Sequence, residues 1–188
     1  MILASGSPQR RAILEQLGVA FTVVVSNADE LEEGPAEEVA VENARRKAFA
    51  VAGGKQATGN ADAILGVDTT VALDGRLYGK PRDRDDAVAT VRALAGRSHR
   101  VVSGICVIED GAERTATAAT TVSFRPLSEA AISWYVDTGE WEGRAGGYAI
   151  QGRGAALVES IDGDYLNVVG LPVATLLDLL PSLLFPAI

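Results

Sequence analysis

Residues 63–71 read Ala63-Ile64-Leu65-Gly66-Val67-Asp68-Thr69-Thr70-Val71, an apolar run that contains one carboxylate. Aliphatic and β-branched residues in such a run favour a buried β-strand, and Asp74-Gly75 provides a turn after it. The sequence therefore predicts a strand pair or one long bent strand over residues 64–73. Burying Asp68 costs free energy unless a cation, a metal ion or hydrogen bonds compensate its charge. Asp68 is thus the first candidate for a functional residue.

Residues that could compensate the charge of Asp68 occur at several other places in the chain. They are four basic residues (Arg10, Arg11, Lys47 and Lys80) and two small-residue loops (Ser5-Gly6-Ser7 and Gly146-Gly147). Lys80 is restrained between Gly79 and Pro81, which makes it a better-placed charge than a lysine on a flexible tail. A carboxylate, several cations and such loops together suggest metal-assisted chemistry on a phosphate-bearing ligand.

Composition narrows the possible classes of protein. The 188 residues are 47% hydrophobic and 22% charged, which is typical of a folded globular chain. A net charge of -8 without a long Lys/Arg run argues against general nucleic-acid binding. One cysteine and one histidine exclude an intrachain disulfide and argue against a zinc site. Any bound metal should then be a hard cation held by carboxylates, and Cys106 is expected to be a buried apolar residue.

The ends of the chain carry no targeting pattern. The N-terminal residues Met1-Ile2-Leu3-Ala4 lead to arginines by position 10, which is unlike a signal peptide. No apolar run is long enough to span a bilayer, since residues 176–185 are interrupted by Pro181. We therefore expect a cytoplasmic protein without a membrane segment.

The order of predicted elements indicates an α/β fold. Strands are predicted at residues 2–4, 21–25, 64–73, 100–108, 114–124, 155–161 and 165–169, the last two as a hairpin around Asp162-Gly163. Helices are predicted between Ser7 and Gly18 and at residues 36–51, 84–94, 128–136 and 172–184. Residues 1–188 should form a single domain, and an arrangement of two lobes around a cleft is compatible with this order of elements.

Three features in the first 50 residues have both a functional interpretation and a purely structural one. The Ser5-Gly6-Ser7 loop and Arg10 lie where a strand meets a helix, which suits an anion, although ordinary helix capping is the alternative. The acidic loop, residues 27–34, is either a solvated surface or the source of a carboxylate that shares a cation with Asp68. Lys47 either points from its helix into a cleft or is a surface lysine beside Arg45 and Arg46.

A glycine-rich segment in the second half has the same ambiguity. Residues 144–152 place polar groups among small residues, which allow a ligand to approach the backbone closely. Gln151 carries a donor and an acceptor and could therefore read the edge of a base. A purely structural loop is the alternative. Trp134, Trp141 and Tyr135 are expected to pack in the core rather than to stack on a ligand.

With these residues considered together, the chain resembles the Maf family of nucleoside triphosphate pyrophosphatases over nearly its whole length. The resemblance rests on six ordered blocks: Leu3-Ala4-Ser5-Gly6-Ser7-Pro8; Glu42-Asn43-Ala44 with Lys47-Ala48; Gly66-Val67-Asp68-Thr69; Gly79-Lys80-Pro81-Arg82-Asp83; Ala145-Gly146-Gly147-Tyr148-Ala149-Ile150-Gln151-Gly152; and Asn167-Val168-Val169-Gly170-Leu171-Pro172. Six blocks in order are far more specific than any one of them.

This resemblance implies a fold, a reaction and a set of roles. The fold would be the mixed, twisted sheet flanked by helices of Maf and inosine-triphosphatase-like proteins, with the site in a cleft between two lobes. The reaction would split a nucleoside triphosphate between its α and β phosphates with Mg²⁺ or Mn²⁺, releasing the monophosphate and pyrophosphate. Asp68 would activate water and, with Glu30, hold the metal. The triphosphate would be bound by Ser5, Ser7, Arg10, Lys47 and Lys80.

Substrate choice follows from the branch of the family that the chain resembles. Thr69 and Gln151 match the branch that acts on dTTP and UTP. Modified pyrimidine nucleoside triphosphates are a further candidate substrate. Gln9, a further position tied to specificity, stands where that branch commonly has arginine, and Gly143-Arg144 replaces the usual Asp-Lys. The alternatives are a 7-methyl-GTP pyrophosphatase and a nucleotide-binding regulator of septum formation without catalysis. Family members are often dimers, so a homodimer is possible.

Overall fold

A computed structural model describes residues 1–54 and 63–185 of the chain. Its strands are β1 (Ile2–Leu3), β2 (Thr22–Val23), β3 (Ile64–Leu73), β4 (Arg76–Tyr78), β5 (Ser98–Glu109), β6 (Ala112–Phe124) and β7 (Val158–Asp162). Its helices are α1 (Pro8–Gln16), α2 (Ala36–Ala52), α3 (Arg84–Leu94), α4 (Glu129–Val136), α5 (Tyr165–Val169) and α6 (Val173–Leu179). Short 3₁₀ turns cover Ala145–Gly147, Arg153–Leu157 and Pro181–Leu183.

The strands form one mixed seven-stranded sheet in the order β2-β1-β3-β5-β6-β7, with β4 paired to β3. β1 runs parallel to both β2 and β3. The pairs β3–β4, β3–β5, β5–β6 and β6–β7 are antiparallel. The predicted α/β class, a mixed sheet flanked by helices, is therefore confirmed, and residues 64–73 form one long strand rather than a strand pair.

The side chains of β3 on one face of the sheet divide the core into two parts. Leu65 and Val67 belong to a cluster with residues of α1 and α6. Val71 and Leu73 belong to a second cluster with residues of α3 and α4. Between them lies Thr69, which pairs in register with another hydroxyl residue, Ser103 of β5. Thr69, which lines the cleft described below, thus lies where hydroxyl residues interrupt the aliphatic row between the two clusters.

Helix α2 packs against the opposite face of β3 and β5 at unusually short range. A Cβ at Gly66 would lie 2.2 Å from the carbonyl oxygen of Ala44, and one at Gly104 would lie 2.2 Å from that of Ala40. Only glycine at these two strand positions lets the helix backbone come so close. As a result, two longer side chains of α2, those of Asn43 and Lys47, reach the edge of β3.

One predicted element is of the wrong type. Residues 165–169 were expected to be the second strand of a hairpin, and they form helix α5 instead. Asp164 caps this helix by accepting a hydrogen bond from the backbone N–H of Leu166 at 2.7 Å. The strand before it, β7, pairs with β6. Alternating apolar residues in so short a segment do not distinguish a strand from one helical turn, and the cap decided the outcome.

Several other predictions need smaller corrections. The strand expected at residues 21–25 is only Thr22–Val23, and the one expected at residues 155–161 is Val158–Asp162. The last helix ends at Leu179 because Pro181 cannot continue it. Trp134 is 48% exposed and so is not part of the core, whereas Trp141 packs against it. Cys106 is fully buried, as expected. In the described part of the chain, no helix has the length and apolar character needed to cross a membrane.

Candidate active site

The candidate site lies along one edge of β3. On that edge β1 pairs with Ile64 and Leu65, and β4 pairs with residues from Val71 to Leu73. Within the described residues, no strand pairs with positions 66–70 on this side, so Asp68 and Thr69, from opposite faces of β3, both reach the cleft at this edge. The gap opens into a cleft of about 290 Å³ at the carboxyl end of β1, a common location for ligand sites in α/β sheets.

Asp68 lies at the base of this cleft and is 7% exposed. Its Oδ1 is 2.5 Å from Nζ of Lys47, and its Oδ2 accepts a hydrogen bond from Nδ2 of Asn43 at 3.2 Å. The same Lys47 ammonium lies 2.9 Å from Oε1 of Glu30. The buried charge of Asp68 is therefore compensated by a cation and a hydrogen bond, as the sequence required, and Glu30 of the acidic loop joins the group.

The position of Lys47 follows from the packing of α2. Lys47 is 8% exposed and thus is not the surface lysine that its neighbours Arg45 and Arg46 suggested. Because Gly66 and Gly104 bring α2 against the sheet, Asn43 and Lys47, one turn apart on the helix, both extend over the edge of β3 to Asp68. Lys47 therefore points from its helix into the cleft, which is the location that the functional interpretation predicted.

Arg10 supplies a second buried cation beside the first. Its Nε donates to the carbonyl oxygen of Gly170 at 2.9 Å, its Nη1 to Oγ of Ser5 at 2.8 Å, and its Nη2 to Oγ1 of Thr69 at 3.2 Å. Burial lowers the pKa of Arg10, whereas the negative charges of Asp68 and Glu30 act in the opposite direction. Three hydrogen bonds hold the guanidinium at the base of the cleft, and two further N–H groups remain for a ligand.

The Ser5-Gly6-Ser7 loop caps α1 and also lines the cleft. Ser7 is the N-cap, and its hydroxyl accepts a hydrogen bond from the backbone N–H of Arg10 at 3.5 Å and donates one to Gln9 at 3.1 Å. Ser5, Ser7 and Gln9 all lie in the cleft wall. The two interpretations of this loop are thus compatible, since a capped helix start presents its remaining N–H groups to the cleft.

Thr69 is placed where its hydroxyl supports other residues of the site. Besides accepting from Arg10, Oγ1 lies 2.9 Å from Oγ of the buried Ser103. Thr69 lines the cleft as well.

We call the side chains of Ser5, Arg10, Glu30, Lys47 and Asp68 the Asp68 wall.

The opposite side of the cleft is formed by Lys80, Arg144, Tyr148 and Gln151, which we call the Gln151 wall. Lys80 and Gln151 are exposed, and Arg144 is half-buried. Lys80 follows Gly79, whose carbonyl oxygen accepts a hydrogen bond from the backbone N–H of Gly146 at 3.0 Å. Gly146 has φ 68, and a Cβ there would lie 2.6 Å from Val71, so this turn requires glycine.

Side chains outside the cleft hold the backbone of the Gln151 wall through hydrogen bonds. The hydroxyl of Tyr135 accepts a hydrogen bond from the N–H of Ala149 at 3.0 Å. The carboxylate of Glu140 accepts one from the N–H of Arg153 at 2.7 Å. The hydroxyl of Tyr148 is 2.9 Å from Nε2 of His99, whose burial lowers its pKa to about 4. The backbone of this wall is therefore fixed, while its polar side chains extend into the cleft.

Asp68 and Glu30 are the residues that could hold a divalent cation. Both carboxylates approach one point, the ammonium of Lys47, from different segments of the chain. Within the described residues, there is no cluster of three or more histidine, cysteine and acidic side chains that could enclose a metal. A pair of carboxylates still suits Mg²⁺ or Mn²⁺, because such ions are commonly bound by one or two carboxylates and completed by substrate phosphates and water. The donor set fits the expected cation.

Of the four basic candidates, Arg10, Lys47 and Lys80 line this cleft, whereas Arg11 lies outside it and forms an exposed ion pair with Glu15. The other predicted site residues lie in or beside the cleft, and the sequence reasoning missed two contributors. Asn43 holds Asp68, and the carbonyl oxygen of Gly170 holds Arg10. The spacing of Asn43 and Lys47 on one helix face could have suggested the first. The second is a backbone atom 160 residues from its partner, for which no local pattern exists.

Comparison with known proteins identifies the family of the chain. A model of the family described as Maf-like protein matches residues 1–183.

The chain belongs to the Maf family.

Relatives of this Maf protein match it over almost its full length. A protein of Pyrococcus furiosus named dTTP/UTP pyrophosphatase is 42% identical over 96% of this chain and 93% of its own. A protein of the same name from Thermococcus gammatolerans is 46% identical over 92% of this chain and 91% of its own. Another from Deinococcus radiodurans is 44% identical over 96% and 91%. The family resemblance expected from the six sequence blocks is thus confirmed.

Proposed function

We propose that this Maf protein is a nucleoside triphosphate pyrophosphatase that converts dTTP and UTP to the monophosphate and pyrophosphate. The observation that carries the proposal is the meeting of two carboxylates, Asp68 and Glu30, with Lys47 in a cleft that Arg10 and Lys80 also line. A triphosphate brings about four negative charges, and fixed cations around a hydrolysable anhydride are what phosphoryl transfer needs.

Each charged group of the cleft has a role in the proposed reaction. Asp68 accepts a proton from the attacking water as its oxygen bonds to phosphorus, and the bond between the α and β phosphates breaks with release of pyrophosphate. Arg10, Lys47 and Lys80 stabilise the negative charge that develops on the phosphate oxygens. Ser5 and Ser7 present hydroxyl groups and the free N–H groups of the α1 start to the phosphates.

Asp68 and Glu30 would hold Mg²⁺ or Mn²⁺ together with phosphate oxygens. When bound, the cation supplies positive charge that neutralises the triphosphate and polarises the reacting bond. Glu30 reaches the site from the acidic loop, and its distance of 2.9 Å from Lys47 Nζ supports its choice over the neighbouring Asp29. Asp29 contributes its backbone carbonyl to Arg46 instead.

The preference for pyrimidine nucleotides rests on the Gln151 wall and on the names of the relatives. Gln151 offers an amide N–H donor and a carbonyl acceptor from a fixed backbone, and in one orientation of the amide these pair with O4 and N3–H of uracil or thymine. Gln9 lines the same cleft and can also contact the ligand. Modified pyrimidine triphosphates with the same edge are included in the proposal.

The test is pyrophosphate release from dTTP, UTP, CTP, GTP and 7-methyl-GTP, with Mg²⁺, with Mn²⁺ and with a chelator. We expect release that requires the metal and is fastest with dTTP and UTP. Fastest release from 7-methyl-GTP would reject the substrate and keep the chemistry. Binding of nucleotide without any release would reject the reaction and favour a regulator of septum formation.

Three expectations from the sequence accompany this proposal and stay predictions. Residues 1–188 act as one domain, the protein works in the cytoplasm, where nucleoside triphosphates are made and used, and it forms a homodimer. Light scattering of the purified protein checks the last of these, because a single species at twice 19.6 kDa is expected.

A further inference from the structure

Asn43 is the buried polar residue of the site that the proposed reaction leaves unexplained. It is 2% exposed and lies behind Asp68, outside the cleft wall itself. A polar side chain in such a place costs free energy unless its donors and acceptor are used. Its partners therefore show what the residue does.

The side-chain amide of Asn43 makes three hydrogen bonds. Its Oδ1 accepts from the backbone N–H of Leu31 at 2.7 Å, and its Nδ2 donates to the carbonyl oxygen of Leu31 at 3.0 Å. The second hydrogen of Nδ2 is donated to Oδ2 of Asp68 at 3.2 Å. If the amide were turned over, its NH2 group would face the N–H of Leu31 and its oxygen would face the Asp68 carboxylate. Only one orientation therefore satisfies all three partners.

The bonds to Leu31 fix the place of Glu30, the preceding residue. The Glu30 side chain is 43% exposed, and an ion pair with one solvent-exposed partner, such as the one to the buried Lys47, contributes only about 1 kcal/mol. That contact alone is too weak to hold a loop segment against its conformational entropy. The two bonds from a buried amide to one backbone position are the firmer attachment, and they carry Glu30 to the site.

The remaining bond fixes the rotation of the Asp68 carboxylate. Lys47 occupies one face of Oδ1 and Asn43 occupies Oδ2, so both oxygens have a partner on the α2 side. The other lone pairs are then directed toward the cleft. Partners of this kind, which orient a functional carboxylate without touching substrate, commonly change metal affinity or activity by 10–100-fold when removed.

We propose that Asn43 is a positioning residue that fastens the acidic loop to α2 and orients Asp68, so that Glu30 and Asp68 face one point in the cleft. This rests on the proposed function, since it assigns both carboxylates to the same cation. It also has a consequence that is independent of turnover, because the Leu31 amide depends on Asn43 for its hydrogen bond.

The experiment replaces Asn43 by leucine, whose side chain has the same number and branching of heavy atoms and no polar atoms. The Asn43→Leu variant should lose protection of the Leu31 amide from hydrogen exchange. It should bind Mn²⁺ 10–100-fold more weakly in the presence of a non-hydrolysable UTP analogue, and kcat/KM should fall by a similar factor. The matched control is Arg46→Gln, which removes another bond from α2 to the loop, at Asp29, without touching Asp68. Its Mn²⁺ affinity and kcat/KM should stay within threefold of wild type.

The possible results separate this proposal from the proposed function. Wild-type protein that releases no pyrophosphate from any of the five nucleotides overturns the function. Active wild type, with a folded Asn43→Leu variant whose Mn²⁺ affinity and kcat/KM stay within threefold, overturns the role of Asn43 alone. Equal losses in Arg46→Gln and Asn43→Leu also overturn it, since any loosening of the loop would then suffice. If leucine prevents folding, Asn43→Ser is subjected to the same three measurements with the same expectations.

Discussion

The Asp68 wall and the Gln151 wall of the cleft hold their functional groups by different means. In the Asp68 wall, the side chains of Arg10, Lys47 and Asp68 are themselves buried and hydrogen-bonded, and only Glu30 is exposed. In the Gln151 wall, the backbone is anchored, while Lys80 and Gln151 are exposed. A charge whose position is already fixed needs no reorganisation when charge develops on a substrate. We infer that the Asp68 wall, with Lys80 adding a charge from the other side, mainly determines the rate, and that Gln151 mainly determines which nucleotide is accepted.

The largest effect is expected from Asp68→Asn. The variant loses the carboxylate that accepts a proton and contacts the metal, so pyrophosphate release should fall by at least about 10³-fold. Binding of a non-hydrolysable UTP analogue, measured by calorimetry, should change much less. The control is Asp74→Asn, in the exposed turn after the same strand. Turnover of Asp68→Asn near the wild-type rate would show that the Asp68 wall does not determine the rate.

Lys80→Ala tests whether an exposed cation of the other wall also takes part in the reaction. Loss of one charge that stabilises developing negative charge should lower kcat/KM by roughly 2–4 kcal/mol, or about 30- to 1,000-fold. Arg82→Ala removes an exposed cation two residues away that pairs with Asp86, and should have little effect. A Lys80→Ala variant within twofold of wild type would confine the chemistry to the Asp68 wall.

The anchor of the Gln151 wall at His99 should make stability depend on pH. Burial lowers the pKa of His99 to about 4, so the folded protein keeps the imidazole neutral where the unfolded chain, with a pKa near 6.5, binds a proton. The contribution of His99 is complete above about pH 6.5 and is lost as the pH falls toward 4, by up to about 3 kcal/mol. Urea unfolding at several pH values measures it. His99→Gln should show a smaller pH slope over this range, and parallel curves for the two proteins would contradict the prediction.

The smallest effect is expected at Gln151, and it should concern selectivity rather than rate. Gln151→Ala removes one side chain that contacts the base, so the ratio of kcat/KM for UTP to that for CTP should fall about 5- to 10-fold, or roughly 1–1.4 kcal/mol. The saturated rate with UTP should change little. Arg153→Ala, two residues further on, is the control. A large loss of kcat with an unchanged ratio would contradict the division between the two walls.

Much of the fold was predictable because its signals are local. Ser7-Pro8 marks the start of α1, Asp74-Gly75 and Asp110-Gly111 mark two hairpin turns, and the residues in these turns have the positive φ values that such turns require. The long apolar run of β3 is recognisable without any partner. Residues 165–169 failed as a prediction because a single side-chain cap, Asp164, outweighed a short apolar pattern.

The residues of the candidate site could be predicted from the sequence, but their arrangement in space could not. An aspartate in an aliphatic strand must have a partner, and the sequence offered Arg10, Lys47 and Lys80 as candidates. It did not show that Lys47 is buried, because the period of a helix indicates its faces but not how closely it approaches a sheet. Nor did it indicate Asn43, whose partners are a loop backbone and a strand carboxylate.

The sequence by itself therefore determined the α/β class, the family and the requirement that Asp68 be compensated, since these follow from hydrophobic pattern, ordered motifs and the cost of burying a charge. Only the tertiary structure decided which carboxylate joins Asp68, which cations face it and which wall of the cleft has fixed side chains. The physical reason is range. Hydrogen bonds and contact ion pairs need their atoms within about 3 Å of each other, and here a hydrogen bond joins residues as far apart in the chain as Arg10 and Gly170. Only the packing of α1, α5 and α6 against one sheet brings these two residues together.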